Sequence, residues 1–463
     1  MAVDKLVDST QLDSDLTSVA NAIRTKGGTS GQLAFPAGFV SAVNDIQTGG
    51  VEVEALTVTQ SGIYTAPSDK AYSPVTVDIP YPSSRVIEKD VNFYDYNAKL
   101  LYSYTAQEIQ AMNAETDLPP NPTHAKLVSK GWNWTLAEIK SQLTNVPGGV
   151  VNVGQMYNTP TGATEIDIIL DDPNYLSPYL VLTGTNNKTA VVDWGDNSSQ
   201  DTIAFTGTSN GIYTQHIYQQ TGEYTISIMP SNGCKVFFFS NAAANPGTLH
   251  YATSGDAEKN KVYGNKIRRI RFGTGMCSRP HGLRDLKNLE TVSFSDYDGI
   301  EVNSYMMTES SGLMFITFPR GFNANAGGQA FETVAVKNVS LPASFRNSVF
   351  PYTNNRVVRN ATIPHGVTGI GGTSFSACQS LEKLYIPSTV TSIGAQAFAN
   401  CLSLMELHLL PTTPPTLSNE NAFTNIQSFT KIYVPKSENH TVLNEYKTAS
   451  NWSTYADYMQ EEP

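Results

Sequence analysis

Residues 384–404 read "LYIPSTVTSIGAQAFANCLSL", and the framework of this phrase has already occurred once, 23 residues earlier. Ile386-Pro387 repeats Ile363-Pro364, Phe398 repeats Phe375, Cys401 repeats Cys378, and Leu404 repeats Leu381. Several residue types returning in register at one period is the mark of a stacked solenoid. With Ile386 as the reference position, its counterparts outward are Phe272, Phe294, Phe318, Leu341, Ile363, Leu409 and Val434, at steps of 22 to 25 residues. The array therefore runs over 267–435 in about eight coils.

Each coil opens with a short alternating segment such as Leu384-Tyr385-Ile386-Pro387, a strand whose alternate members point inward. Pro387 ends it by removing a ladder donor. The return half buries Val390, Ile393 and Phe398 against neighbouring coils, since no single coil can cover its own apolar face. The phrase "IPSTVTSIGAQAFANCLSL" resembles the BspA-type leucine-rich repeat, closely over 359–410 and in degenerate form before 340. The resemblance implies a binding scaffold rather than a catalyst.

A chain of 463 residues exceeds one hydrophobic core, so several domains are expected. Charged residues make up only 15%, with 34 Gly and 25 Pro, which describes a turn-rich, mainly β protein. The net charge of −11, with no basic cluster, argues against nucleic acid or anionic membrane as partners. No apolar run reaches the ~18 residues of a membrane span. Asp4, Asp8, Asp13 and Asp15 stand where a signal peptide needs positive charge, so secretion by that route is not expected.

The expected organisation is five segments. Residues 1–48 are a helical attachment region. Leu12, Leu16, Val19, Ala20 and Ile23 form one stripe of a helix over 8–26, and Phe39, Val43 and Ile46 share a side of a second over 36–47. Helices this short need a partner, which is either each other, as a self-contained hairpin, or an oligomeric mate or docking site. Residues 49–82 switch to period-two patterning, a small β module. Residues 83–158 form an α+β module: an aromatic hairpin over Val91–Tyr104, then two helices opened by the capping boxes Thr105/Glu108 and Thr135/Glu138, with Trp132 and Trp134 as core anchors. Several phrases of these first segments resemble bacteriophage tail proteins, among them "STQLDSDLTSVANAIRTKGG", "SGIYTAPSDKAYSPVTVDI" and "GWNWTLAEIK". Residues 159–245 alternate as a β-sandwich, and "VVDWGDNSS" with "HIYQQTGEYTISI" resembles the PKD-type immunoglobulin-like domain. Residues 246–463 hold the repeat solenoid and a C-terminal cap.

Motifs for catalysis are thin. Gly207-Thr208-Ser209-Asn210-Gly211 fits the G-x-S-x-G pattern, but a nucleophile elbow needs a strand–turn–helix, and the next residues, 212–216, read as strand. The histidines show no metal spacing, His216 reads as a hydrogen-bonded sandwich residue, and Cys378 and Cys401 fill equivalent small buried slots. Asp193, Asp196 and Asn197 serve either as turn-formers or as oxygen ligands for calcium. No catalytic residue, cofactor or metal site is assigned, and the chain is not expected to be an enzyme.

The candidate recognition face is the outer side of the strand ladder. There the residue before each reference position points away from the core: Arg271, Ser293, Thr317, Ser340, Thr362, Tyr385, His408 and Tyr433. Cations and tyrosines gather at its ends, giving Arg269, Arg271, Lys383, Tyr385, His408, Lys431 and Tyr433 as receptor-binding candidates. The phage-tail resemblance implies a virion tail protein. Its N-terminus would bind other tail or baseplate proteins as a homo-oligomer, a trimer being favoured, and its repeats would bind a bacterial surface glycan or protein. The alternatives are a purely structural virion component or a bacterial surface adhesin. All four cysteines are expected to stay reduced.

Overall fold

The computed structural model describes residues 17–23, 52–58 and 70–77 and most of 88–463; the principal gaps in the latter are 208–210, 239–248, 251–261, 279–282, 295–311 and 323–335, with a few short ones besides. The chain divides into two compact units, Met1–Arg85 and Val86–Pro463. In the first, residues 17–23 are helical with Ala20 and Ile23 buried, while Val19 is 41% exposed, so the apolar stripe is narrower there than its spacing indicates. Strands Glu52–Val58 and Lys70–Val77 pair in parallel. The second helix, over 36–47, lies outside the described residues.

The second unit is mainly β and is built on the solenoid. Eight ladder strands occur among the described residues: Ile267–Arg271, Thr291–Ser293, Phe315–Thr317, Asn338–Ser340, Asn360–Ala361, Lys383–Ile386, Glu406–Leu409 and Lys431–Val434. Their register is the one the period dictates. Arg271 pairs with Ser293, Ser293 with Thr317, Thr317 with Ser340, and further along Tyr385 with His408 and His408 with Tyr433. A second parallel ladder, Gly369–Ile370, Ser392–Ile393 and Thr416–Leu417, lines the return side of the C-terminal coils.

Inside, the repeated phenylalanines stack ring on ring. Phe272, Phe294 and Phe318 lie 5.2 and 5.4 Å apart, and Phe375, Phe398 and Phe423 lie 5.3 and 5.1 Å apart, all within 18° of parallel. Each ring takes its apolar cover from the next coil, which is why a coil cannot fold alone. The C-terminal end is sealed by the helix Thr441–Thr448, the buried Tyr446, Trp452 and Tyr455, and a last parallel strand, Met459–Glu461. Trp452 donates its indole N–H to the Pro415 carbonyl at 2.7 Å and Tyr446 its hydroxyl to Pro411 at 2.9 Å, so these large rings are buried without orphaning a donor.

The other end is closed by the sandwich. One of its sheets is ordered Asp201–Phe205, Lys188–Asp193, Gly222–Pro230, Thr164–Leu170. Thr164–Leu170 then pairs antiparallel with the first ladder strand, Ile267–Arg271, so the four sandwich strands and the first four ladder strands form one eight-stranded sheet, while the last four ladder strands and Met459–Glu461 form a separate five-stranded one. The opposing sheet contains Tyr179–Gly184, Ile212–Gln215 and Val236–Phe238, joined by Leu249–His250, which lies beyond the sandwich boundary expected at residue 245. The edge strand of the repeats is thereby paired rather than left as an open template.

Residues 88–158 form a four-stranded sheet, ordered Leu100–Tyr104, Val91–Tyr94, Val151–Asn158, Val128–Trp132, with helices Ala106–Ala111 and Leu136–Asn145. Both capping boxes are present: Thr105 and Thr135 accept from the amides of Glu108 and Glu138, whose carboxylates reach back to the cap amides. Trp132 sits in the module's own core, with its indole donating to Pro119 at 2.9 Å.

Candidate functional site

The outer face of the ladder is not one open surface. Its middle is covered by the 88–158 module. Ser293, Thr317 and Ser340 are buried, and the module reaches the ladder through paired polar contacts. Asn133 donates to the carbonyls of Phe318 (2.9 Å) and Ser340 (3.2 Å) and accepts from the Gly154 amide (2.9 Å) and the Ser340 hydroxyl (3.0 Å). Trp134 donates to the Leu341 carbonyl at 2.8 Å, so this ring anchors the module to the array rather than only its own core. Gln142 donates to the Ile363 carbonyl at 3.0 Å and accepts from the His365 amide at 2.7 Å. At Gly154 a Cβ would lie 2.0 Å from the Thr317 hydroxyl. The Ser and Thr side chains of the middle coils are therefore small because another sheet lies on them. Periodicity could not reveal this, since a solvated face and a close-packed docking face both accept small polar residues.

The two ends differ. At the sandwich end Arg271 is buried, against the expectation that it faces solvent. Its guanidinium lies 2.8 Å from Glu165 and 2.7 and 2.6 Å from the two oxygens of Asp167, on the antiparallel strand that covers it. Burial alone would raise the pKa of Asp167, but hydrogen bonds and charge from Arg271 outweigh it and hold that carboxyl below its usual range. Arg269 stays half-exposed between Asp167 (3.8 Å) and Glu290 (3.5 Å). Arg271 is thus a structural clasp.

At the C-terminal end the rings of Tyr385, His408 and Tyr433 stack at 4.1 and 4.7 Å, each 11° from parallel. His408 is also buried, contrary to its expected exposure: it lies between the two tyrosines, with Nδ1 2.8 Å from Glu462 and Nε2 3.2 Å from Glu406. Lys383 sits 2.6 Å from Glu406 and 5.3 Å from the centre of the Tyr385 ring, and its hydrogen bond holds Glu406 below the usual carboxylate range. One edge of Tyr385 packs on Gly148, where a Cβ would meet its hydroxyl at 2.6 Å. Lys431 is exposed and Tyr433 half-exposed. Of the seven candidates, Lys383, Tyr385, Lys431 and Tyr433 share one accessible face.

The Trp-Gly-Asp turn is occupied by its own neighbours. Asp193 accepts from the Gly195 amide at 2.9 Å, while Asp196 accepts from the Ser198 amide at 3.1 Å and meets His216 Nε2 at 2.8 Å. The His216 ring stacks on Trp194 at 4.9 Å, and Tyr218 donates to the Trp194 carbonyl at 2.9 Å. This is the turn-forming role of Asx residues. Among the described residues no group of three or more His, Cys, Asp or Glu is placed to hold a metal ion. Of the G-x-S-x-G run, residues 208–210 lie outside the described residues, and strand Ile212–Gln215 comes directly after it. Cys378 and Cys401 are free thiols, each 2.9 to 3.0 Å from a carbonyl of the preceding coil, Tyr352 and Phe375. Cys234 is likewise free and buried.

One cleft, of about 540 Å³, opens where the 88–158 module, the sandwich and the first ladder coils meet. No motif in the sequence marks it, because its lining comes from six separated segments. Among the described residues no helix is long and apolar enough to cross a membrane.

Comparison with known proteins agrees with the solenoid. Residues 279–404 and 344–453 match the family described as BspA type Leucine rich repeat region, in 6 copies. The C-terminal part is thus a leucine-rich repeat region of BspA type, an architecture suited to binding at a surface. No curated protein matches the chain.

Proposed function

We propose that this protein is a non-enzymatic bacteriophage tail protein that recognises its host through the C-terminal end of the repeat ladder. The observation that carries this reading is the accessible cluster of Lys383, Tyr385, Lys431 and Tyr433 over a ring stack held rigid by the solenoid. Rigid aromatic rings with flanking cations are the residue types that dominate recognition surfaces, and they lose little entropy on binding. The phrases of the first 150 residues that resemble phage tail modules support a virion location, and the Trp194–His216–Tyr218 cluster fits a PKD-like sandwich used as a spacer. On this reading the N-terminal region joins the chain to other tail or baseplate proteins and holds it as a trimer. The ligand is a bacterial surface glycan or protein.

The test is adsorption of the labelled full-length protein to a panel of bacterial strains. Binding to a restricted set of strains is expected, with Lys431→Ala/Tyr433→Ala losing at least tenfold while the melting temperature is retained. Equal adsorption by this variant and wild type rejects the C-terminal face. Deletion of residues 1–48 is expected to leave a soluble protein of lower oligomeric mass by light scattering; an unchanged subunit number rejects the attachment role. A purely structural tail role is the second reading, favoured by the use of the ladder's middle for packing within the chain. It predicts adsorption to none of the strains. A bacterial surface adhesin is equally compatible with the BspA-type repeats, and is favoured if the protein is found on cells rather than on virions.

A further inference from the structure

The cleft at the junction of module, sandwich and ladder gathers charged groups. Four cations, Lys126, Arg268, Arg269 and Arg271, line it with three carboxylates, Asp167, Glu223 and Glu290, and a fourth carboxylate, Glu165, lies 2.8 Å from Arg271, in a chain whose overall charge is −11. Arg271 and Arg269 are already neutralised by Glu165, Asp167 and Glu290. Arg268 and Lys126 make no ion pair among the described residues, and so are the available positive charge.

The opposite wall is held rigidly. His124 Nε2 lies 2.9 and 3.1 Å from the two oxygens of the buried Asp95, which also accepts from the Tyr157 hydroxyl at 2.9 Å. The Tyr96 ring packs edge-on against His124 at 4.9 Å. Tyr96 and, across the cleft, Tyr224 are both half-exposed.

We propose that this cleft binds an anionic saccharide carrying a carboxylate, such as a uronate-containing oligosaccharide. A volume of about 540 Å³ falls in the ~300–1,000 Å³ range of small-ligand sites. A sugar's hydroxyls use donors and acceptors together, which the mixture of His124, Glu223 and Glu290 with the arginines provides. Its C–H faces suit Tyr96 and Tyr224. Arg269 and Arg271 are matched by Glu165, Asp167 and Glu290, and among the remaining charged groups of the lining the two cations Lys126 and Arg268 face the single carboxylate Glu223, which leaves room there for one negative charge, while Glu223 and Glu290 repel a doubly charged phosphate. The site uses none of the C-terminal patch residues.

The experiment is titration of the full-length protein by calorimetry with trigalacturonate, a hyaluronan tetrasaccharide, maltotriose and inorganic phosphate. Binding of at least one uronate probe is expected, weakening as salt rises, with maltotriose and phosphate at least tenfold weaker. Lys126→Ala/Arg268→Ala should weaken uronate binding tenfold or more, whereas Lys431→Ala/Tyr433→Ala should leave it unchanged, which separates this site from the adsorption face. If the double variant does not fold, the exposed Lys126→Ala alone decides, with an expected loss of about threefold. The proposal is overturned if no uronate binds, if maltotriose or phosphate binds as tightly, or if the cleft variants bind like wild type.

Discussion

Replacing Asn133 by alanine should detach the 88–158 module from the solenoid more effectively than any other single truncation on that surface. The buried amide makes four hydrogen bonds at once, two of them to groups of Ser340 and one to the Phe318 carbonyl. In the variant the Ser340 carbonyl keeps the Phe318 amide at 3.0 Å, and the Ser340 hydroxyl keeps the Asn152 carbonyl at 2.6 Å. The Gly154 amide loses its acceptor while still buried, at a cost of about 1–3 kcal/mol, and the lost bond to Phe318 adds roughly 1 kcal/mol. A total near 2–4 kcal/mol corresponds to a urea midpoint lower by about 1 M or more at a slope of ~2 kcal/mol/M. Tryptophan fluorescence reports it directly, since Trp134 lies in the same contact. Asn133→Asp keeps the shape but turns a carboxylate oxygen toward two carbonyls, and should cost at least as much. Asn145→Ala is the control. That amide bonds back to Ser141 in its own exposed helix turn and should shift stability by less than about 0.5 kcal/mol. If Asn133→Ala costs under 1 kcal/mol with unchanged Trp emission, the amide does not pin the module and the account of the buried ladder is wrong.

Four further outcomes are expected. Burial tends to raise the Asp196 carboxyl, but hydrogen bonds from Ser198 and His216 outweigh it and lower it to about 2 from 3.8. That stability is fully present above pH ~4 and is lost as pH falls through 2, so Asp196→Asn should cost about 1–2 kcal/mol at pH 7, after allowance for solvent screening, and only about a few tenths of a kcal/mol at pH 2 in thermal melts. Cys378 and Cys401 have thiols pushed up by burial, Cys401 to about 12, so native protein at pH 8 should resist iodoacetamide at both and at the buried Cys234; in denaturant without reductant, mass spectrometry should find all four cysteines alkylated. Phe398→Ala removes the ring between Phe375 and Phe423 and should destabilise by about 3–5 kcal/mol in urea titration. Ala377 sits at φ +56, where the equivalent positions of the next coils are Asn400 and Asn425 at +62 and +61. Asn tolerates this left-handed conformation better than Ala, so Ala377→Asn should raise the melting temperature by an amount equivalent to roughly 0.5–1 kcal/mol.

The legibility of each part depends on what its sequence signal measures. The solenoid was legible to the residue, because a coil's inward position must meet its counterpart in the next coil and so leaves a period. The capping boxes were legible because the hydrogen bonds close within four residues. The contents of the outer face were not, and the reason is physical. Alternation reports which way a side chain leaves the strand; the partner waiting there depends on chain far away in sequence. Arg271 and His408 point outward as the alternation requires, yet Glu165 and Asp167 from the sandwich bury the first, while Tyr385, Tyr433 and Glu462 enclose the second. Thr317 and Ser340 looked bland for the reason that makes them the docking surface: only small residues let Gly154 and Asn133 approach. The cleft was invisible on the same ground, since Tyr96, His124, Tyr224 and Arg268 come together only after three separate folds have met. A regular ladder therefore carries its specificity where other parts of the chain leave it uncovered. On the proposed reading those places are the Lys383–Tyr433 end and the junction cleft, and a substitution that alters recognition without altering stability should then fall at one of these two.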